Sequence, residues 1–334
     1  MTSFLKTRRR LVLGSLGAAA WPALAPRGTR AAVFSGGQPI RLLVPTTAGG
    51  TADILARLLS VHMGSQLGVP IVVENLPGAG GIVGAARAAR AAPDGHTLLL
   101  GFTSNMATAP MLTRDLAYDP VRDFAPVGRA VSVSLCVVGN QELPAASMKE
   151  LVALAQGRAG GGAPLMYGAW GNGSAAHLTM ESINFYAKAG MKMVPYKAEA
   201  DVQRALLGNE VAVGVQTIGL LLPHLRSGKF KVLGVAARQR SALLPQVPTL
   251  AEQGIPFDLA AWLGVFAPTG TPSSVLDQLA AAMRHALRQP DVVERTRAIG
   301  MDIDTMGREE FTAGLPREIA VWRQLIEAAG VRPE

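Results

Sequence analysis

One cysteine, Cys136, serves all 334 residues, so no internal disulfide can staple this chain. It lies in the apolar, strand-like run Val131–Val138 with no charged neighbour in sequence. A buried, inert thiol is therefore expected, not a catalytic one. Aromatic residues make up only 5% and are not interleaved with basic clusters, which removes the usual signature of a nucleic-acid face. The five histidines, His62, His96, His177, His224 and His285, show no H-x-x-x-H spacing and no nearby cysteine, so neither a metal site nor a cofactor is expected. No G-x-S-x-G elbow exists to expose a serine nucleophile, and no fixed-period repeat supports a solenoid. The hydrophobic fraction is 49%, but it comes from short Ala, Val and Leu runs broken by Gly, Pro or charge.

The exception is the N-terminus. Lys6, Arg8, Arg9 and Arg10 precede an apolar stretch from Leu11 to Ala25. That stretch is too short to span a bilayer comfortably and has the flanks of an export signal, assigned to residues 1–31. Thr7-Arg8-Arg9-Arg10-Leu11-Val12 fits the twin-arginine pattern, with an ordinary secretory signal carrying extra arginines as the other reading. Pro26 hinders cleavage after Ala23-Leu24-Ala25, which moves the expected site to Ala31-Ala32. The formal charge of the whole chain is +8, and residues 1–31 carry six basic residues and no acid, leaving about +2 on the mature protein. So small an excess gives no polyanion-binding argument. The expectation is a periplasmic, monomeric protein with no nucleic-acid partner and no stable membrane insertion once the signal is removed.

After the signal, β-branched runs alternate with alanine-rich helical stretches. Strands are predicted at Ile40–Val44, Val69–Glu74, His96–Phe102, Val211–Val215, Phe230–Ala236 and from Trp262 to Phe266. Helices are predicted at 53–67, 84–92, 147–156, 273–289 and 311–329. Ser147 with Glu150 three residues on is a capping signal for the third of these. The alternation argues for an α/β fold with a mostly parallel sheet flanked by helices, and the recurrence of similar loop–helix modules near Gly49-Gly50 and near Gly171-Gly173 makes two such lobes in one chain the simplest architecture.

Glycines Gly78, Gly80, Gly81 and Gly84 sit between the run ending at Glu74-Asn75 and the helix that follows. A dinucleotide fingerprint fails here. Counted from Gly78 and Gly80, the third glycine would be Val83, and no strand runs directly into the first.

In α/β sheets ligands sit off the carboxyl ends of the strands. Those loops are Thr46–Asp53, Gly101–Asn105, Gly168–Ser174 and the Tyr196-Lys197 turn. They are rich in Gly, Thr, Ser and Asn, contain no Arg and only one Lys. Such loops suit an anion held by backbone N–H groups and hydroxyls at helix N-termini, and favour a carboxylate over a phosphate, which more often draws an Arg clamp. Ser174 and His177, three apart, fit a capping serine and a packed histidine better than a nucleophile pair, because no orienting acid accompanies them.

Several ordered motifs resemble the Bug-type extracytoplasmic receptors of tripartite tricarboxylate transporters. They are Val72-Val73-Glu74-Asn75-Leu76-Pro77-Gly78-Ala79-Gly80-Gly81 leading to Pro93-Asp94-Gly95; the Val44–Asp53 loop with Ala56-Arg57; Tyr118-Asp119-Pro120 with Asp123-Phe124; the segment from Tyr167 to Leu178; Val194-Pro195-Tyr196-Lys197; and Leu244 to Phe257. The resemblance implies a type II periplasmic binding fold, a clamshell crossed twice by the chain, near 131–138 and near 260–266. Lobe one would be 37–137 plus 265–334, and lobe two 138–264. It implies capture of a small carboxylate ligand for the membrane subunits of a transporter. Ligand contacts would come from Thr46, Thr47, Gly49, Gly50, Thr51, Thr103, Ser104 and Asn105 in lobe one, and from Trp170, Gly171, Asn172, Gly173, Ser174, Tyr196 and Gln216 in lobe two, some through water. Asp53 would either hydrogen-bond a ligand or stabilise the first turn of its helix.

The chain departs from the family at Ala169, where a Ser or Thr is usual, and at Trp170, which either stacks on a flat ligand or packs on the lobe. Ala198 replaces a glycine, and Gln216-Thr217 replaces a common acid. Two other readings stand beside the transport receptor: a same-fold receptor for a membrane sensor kinase, and a secreted hydrolase using Ser174 and His177. A transcriptional effector domain has a related fold, but an export signal, not a helix-turn-helix, precedes this one.

Overall fold

The structure, a computed structural model, describes residues 34, 37–257, 260–328 and 330–333; the export signal read over residues 1–31 lies outside them. Eleven strands among the described residues form two sheets. They are β1 (Ile40–Val44), β2 (Ile71–Asn75), β3 (Thr97–Phe102), β4 (Phe124–Val133), β5 (Leu135–Asn140), β6 (Met166–Ala169), β7 (Lys192–Pro195), β8 (Val213–Thr217), β9 (Phe230–Ala236), β10 (Ala261–Pro268) and β11 (Met301–Met306). One sheet runs β11-β4-β10-β3-β1-β2 and the other β7-β6-β8-β5-β9. The helices are α1 (Thr51–Leu67), α2 (Ile82–Ala89), α3 (Ala109–Leu112), α4 (Met148–Ala159), α5 (Ala175–Ala187), α6 (Glu199–Leu207), α7 (Ile218–Arg226), α8 (Ser273–Ala286), α9 (Pro290–Ala298) and α10 (Arg308–Ala328).

The two-lobed α/β architecture is as expected, but the sheets are mixed where mostly parallel ones were expected. β1 pairs in parallel with β2 and β3, and β6 with β7 and β8. β10 is antiparallel to β3 and β4, β11 to β4, and β5 to β8 and β9. The cause lies in how the chain changes sheets. β5 and β10 each enter their sheet at the end facing the other lobe, so they run away from it, opposite to the strands whose carboxyl ends point there. The single apolar run predicted at Val131–Val138 is thus two strands in different sheets, parted at Ser134. Ala261 pairs with Val133, so the first crossing lies directly beside the second.

Local chemistry explains the elements nearest the loops. α1 carries Ala52, Leu55, Ala56, Leu59 and Met63 on one buried stripe at helical spacing. It stops at Gly68, which is left-handed at φ 73° and returns its N–H to Gly64 O at 2.9 Å. Ser147 caps α4 as expected, accepting from Glu150 N. α6 and α7 cover one face of the second sheet over an apolar cluster that holds Cys136, Val138, Val202, Leu206 and Ile218. Burial pushes the Cys136 thiol up, as befits an unreactive packed side chain. Among the described residues no helix is long and apolar enough to cross a membrane.

Candidate functional site

β1, β2 and β3 run in parallel, so their carboxyl ends, Val44, Asn75 and Phe102, deliver three loops to one edge. After β1 the chain is exposed from Thr47 to Gly50, with Thr46 and Thr51 partly buried. What shapes this exposed loop is buried beneath it. Asp53 is only 3% exposed. Its Oδ2 accepts the Gly49 N–H at 2.9 Å and Arg57 Nε at 3.0 Å, and its Oδ1 accepts Asn75 Nδ2 at 3.0 Å. Asn75 Nδ2 also reaches Thr46 O at 3.2 Å. Burial pushes the Asp53 carboxyl up, but the bonds from Arg57, Gly49 and Asn75 outweigh it and hold the group below its usual range. With both oxygens engaged, Asp53 acts as the clamp of the Thr46–Gly50 loop.

The turn after β3 is tied down in the same way. Thr103 Oγ1 accepts the backbone N–H of Trp262, on the returning strand β10, at 3.0 Å. Asn105 is fully buried; its Oδ1 accepts Phe102 N at 2.9 Å and its Nδ2 reaches Gly81 O at 3.4 Å. Tyr118 OH donates to Asn105 O at 2.5 Å. Asn105 is therefore a brace between loops, with Ser104 the partly buried member of the turn. The glycines of the Pro77–Gly81 loop admit the protein's own groups. A Cβ on Gly81, at φ 93°, would stand 2.7 Å from Phe102 Cζ, and one on Gly84 would stand 2.7 Å from Pro45 Cβ.

Across from these loops, β6 leads through Trp170–Gly173 into α5. Ser174 caps α5, its Oγ accepting His177 N at 3.2 Å, while His177 Nδ1 accepts the Gly173 N–H at 3.0 Å. That geometry is the capping serine and packed histidine, with the ring nitrogen turned to backbone. Gly171 and Gly173 have φ of 100° and 68°, a bend that side chains resist. Trp170 is partly buried and packs against both core clusters. The structure brings the loops of the two lobes together through Thr108, in the π-helical turn Ser104–Thr108. Thr108 Oγ1 lies 3.1 Å from both Ser104 O and Gly173 O.

Two of the expected residues, Tyr196 and Gln216, meet partners of the protein's own. The Tyr196 ring lies over Gly168, and its hydroxyl sits 3.5 Å from Glu210 Oε2, before β8 and at the far end of the sheet from Thr217. Gln216 is fully buried under the first turn of α6, donating Nε2 to Glu199 O at 3.3 Å. Sequence reading passed over Thr108, which sits among apolar neighbours in the motif-free run Met106-Ala107-Thr108-Ala109, and Glu199, which stands beside the noted Ala198. A cavity of about 540 Å³ over Arg41, Leu43, Ala86, Arg87 and Arg90 lies on the α2 face of the first sheet. It is removed from these loops, and Arg41 there is paired with Glu74 at 2.5 Å.

The sequence model of the tripartite tricarboxylate transporter family receptor matches residues 55–331. The chain belongs to this receptor family. It is similar to protein BugT of Bordetella pertussis, 33% identical over 297 residues that cover 88% of this chain and 90% of BugT. Among solved structures it resembles Rpa4515 of R. palustris with adipate, at a TM-score of 0.81 and 30% identity, covering 89% of this chain and 98% of that one. MatC of Rhodopseudomonas palustris, with bound malate, gives a TM-score of 0.77 and 32% identity over 86% of this chain and 98% of MatC. The family and the fold are those of solute-binding receptors. Among the described residues no group of three or more His, Cys, Asp or Glu is gathered to hold a metal.

Proposed function

We propose that this chain is an exported receptor that captures a small organic carboxylate between its lobes and delivers it to the membrane subunits of a tripartite transporter. The observation that carries this reading is the meeting of the Thr103–Thr108 turn with the Gly171–Ser174 loop through Thr108. Lobe one contributes Thr46–Thr51 and Thr103-Ser104, and lobe two contributes Trp170–Ser174 at the start of α5. Backbone N–H groups and hydroxyls at helix N-termini solvate an anion there, and excluding water between the lobes strengthens each contact. The related proteins solved with adipate and with malate hold dicarboxylates, which supports a carboxylate at the lobe junction here. The lobes, 37–137 with 265–334 and 138–264, would swing about the adjacent crossings at Ser134 and before Ala261. The work is a binding equilibrium coupled to hinge closure, with no bond broken. Residues 1–31 would serve as the export signal and direct the chain to the periplasm by the twin-arginine route.

A thermal-shift screen of the mature protein against mono-, di- and tricarboxylates, amino acids and aromatic acids tests this. A ligand that binds only the native state raises the melting temperature by mass action. A concentration-dependent rise with one class of acid is the expected result. No rise with any acid, in folded protein freed of carried-over ligand, would overturn the reading.

A further inference from the structure

One acid at the rim of the second lobe is not used by an anion site. Glu199 opens α6, and its Oε1 accepts the backbone N–H of Thr217, the residue that precedes α7. Because β6, β7 and β8 point the same way, the N-termini of α5, α6 and α7 gather at one edge of the sheet. A backbone N–H at a helix start is where a ligand carboxylate is ordinarily received. Here the protein's own carboxylate occupies that position. Gln216 adds an independent observation. It is 0% exposed, its Nε2 is given to Glu199 O, and its Oε1 has no hydrogen-bond donor. A buried acceptor without a donor is costly. The corner therefore holds more acceptors than donors: the Glu199 carboxylate and the Gln216 carbonyl oxygen stand beside the Thr217 N–H and the Thr217 hydroxyl, whose Oγ1 is likewise buried without a partner. Burial pushes the Glu199 carboxyl up to about 7 against the Thr217 contact that pulls it down.

We propose that Glu199 sets the ligand class. Its carboxylate stands where lobe two would otherwise hold a second ligand carboxylate, so the cleft takes acids whose far end donates hydrogen bonds, as a primary amide does, in preference to dicarboxylates. The inference rests on the carboxylate-receptor reading above. A second ligand carboxylate would compete with Glu199 for the same N–H and repel it at close range. An amide NH2 instead supplies protons to an acceptor-rich corner. Neither reaction nor metal is required, only the choice of what lies opposite the first carboxylate.

The test compares affinities by titration calorimetry at pH 8 for matched pairs: succinate with succinamate, glutarate with glutaramate, and adipate with adipamate. The wild-type protein should favour the amic acid of its best-fitting pair by about tenfold or more. Glu199→Gln keeps an oxygen for the Thr217 N–H and presents an NH2 to the ligand, so it should lose or reverse that preference. Glu199→Ser provides a second variant should the first fold poorly, and it should also lose the preference. A merely structural Glu199 would change the melting temperature without changing the ligand ranking. Wild-type affinity for the dicarboxylate equal to or above that for the amic acid overturns the inference and leaves the carboxylate reading standing. An unchanged ratio in both variants does the same. Binding of neither class by any of the three proteins overturns the carboxylate reading and the inference together.

Discussion

The hydroxyl of Thr108 lies 3.1 Å from the carbonyl oxygen of Gly173, joining a turn of the first lobe to the loop that opens α5 in the second. Gly173 is held there without a side chain for a reason. A Cβ at that position would stand 2.2 Å from Leu112 Cδ1, and φ is already 68°.

Gly173→Ala should therefore obstruct the approach of the two loops. The left-handed backbone costs about 1–2 kcal/mol for alanine, and the Leu112 contact must yield as well. Ligand affinity is expected to fall by about tenfold or more, because closure carries part of the binding energy. Calorimetry on the folded variant checks this, with small-angle scattering to report whether the lobes stand further apart. Undiminished affinity would show that the loops need not meet.

Asp53→Ala should loosen the Thr46–Gly50 loop and lower stability by about 2 kcal/mol at neutral pH, from the loss of hydrogen bonds to a buried charged acceptor. The Arg57 guanidinium is largely exposed, so the Gly49 and Asn75 bonds carry most of that cost. Because the folded carboxyl titrates below its ordinary value of 3.8, its contribution is present above that pH and fades as the pH falls through the folded value. Urea denaturation at pH 7 and near pH 3 should show the difference between variant and wild type shrinking in acid.

Glu199 has the opposite sign. Its carboxyl is raised from an ordinary 4.5 to about 7, so its favourable contribution is full below pH 4.5 and is lost as the pH rises through 7. Nearby on α6, Asp201 is already bonded to the Ala198 N–H and to Arg204, and Lys197 is exposed; the β8–α7 junction presents Gln216 and Thr217, which do not titrate in this range. Unfolding free energies measured from pH 4.5 to 8 should decline more steeply in the wild type than in Glu199→Gln. Parallel curves would mean that Glu199 ionises normally.

Ser174→Ala removes a helix cap and should cost about 1 kcal/mol of stability. It should leave ester turnover unchanged at background, because Ser174 Oγ accepts from the His177 backbone and Nδ1 of the ring accepts from Gly173. An ester-hydrolysis assay on both proteins decides the matter; turnover lost in the variant would restore the hydrolase reading.

Much of the fold was legible because its signals are local. The strands at 40–44 and 230–236 and the cap at Ser147 follow from β-branched runs and from one side chain reaching its own helix start. The strand β11 and the helices α6, α7 and α9 carried no comparable signal. Met301–Met306 alternates acids with Met, Ile and Thr, and only its place beside β4 makes it a strand. The run from 131 to 138 was apolar throughout, and periodicity cannot reveal that a chain changes sheets in the middle of it.

The sequence by itself determined the α/β class, the loops at the strand ends and, through ordered motifs, the receptor family, since each depends on residues close together in the chain. Tertiary structure alone decided which loop residues face outward and which brace from beneath. Asp53, Asn105 and Gln216 are polar residues in Gly- and Thr-rich neighbourhoods, indistinguishable by type from ligand contacts. Their partners, Asn75, Gly81 and Glu199, lie 17 to 24 positions away, and only folding brings those donors and acceptors within hydrogen-bond distance. The same long-range pairing set Glu199 against Thr217 and Thr108 against Gly173, contacts between groups whose chemistry is ordinary until the two are placed together.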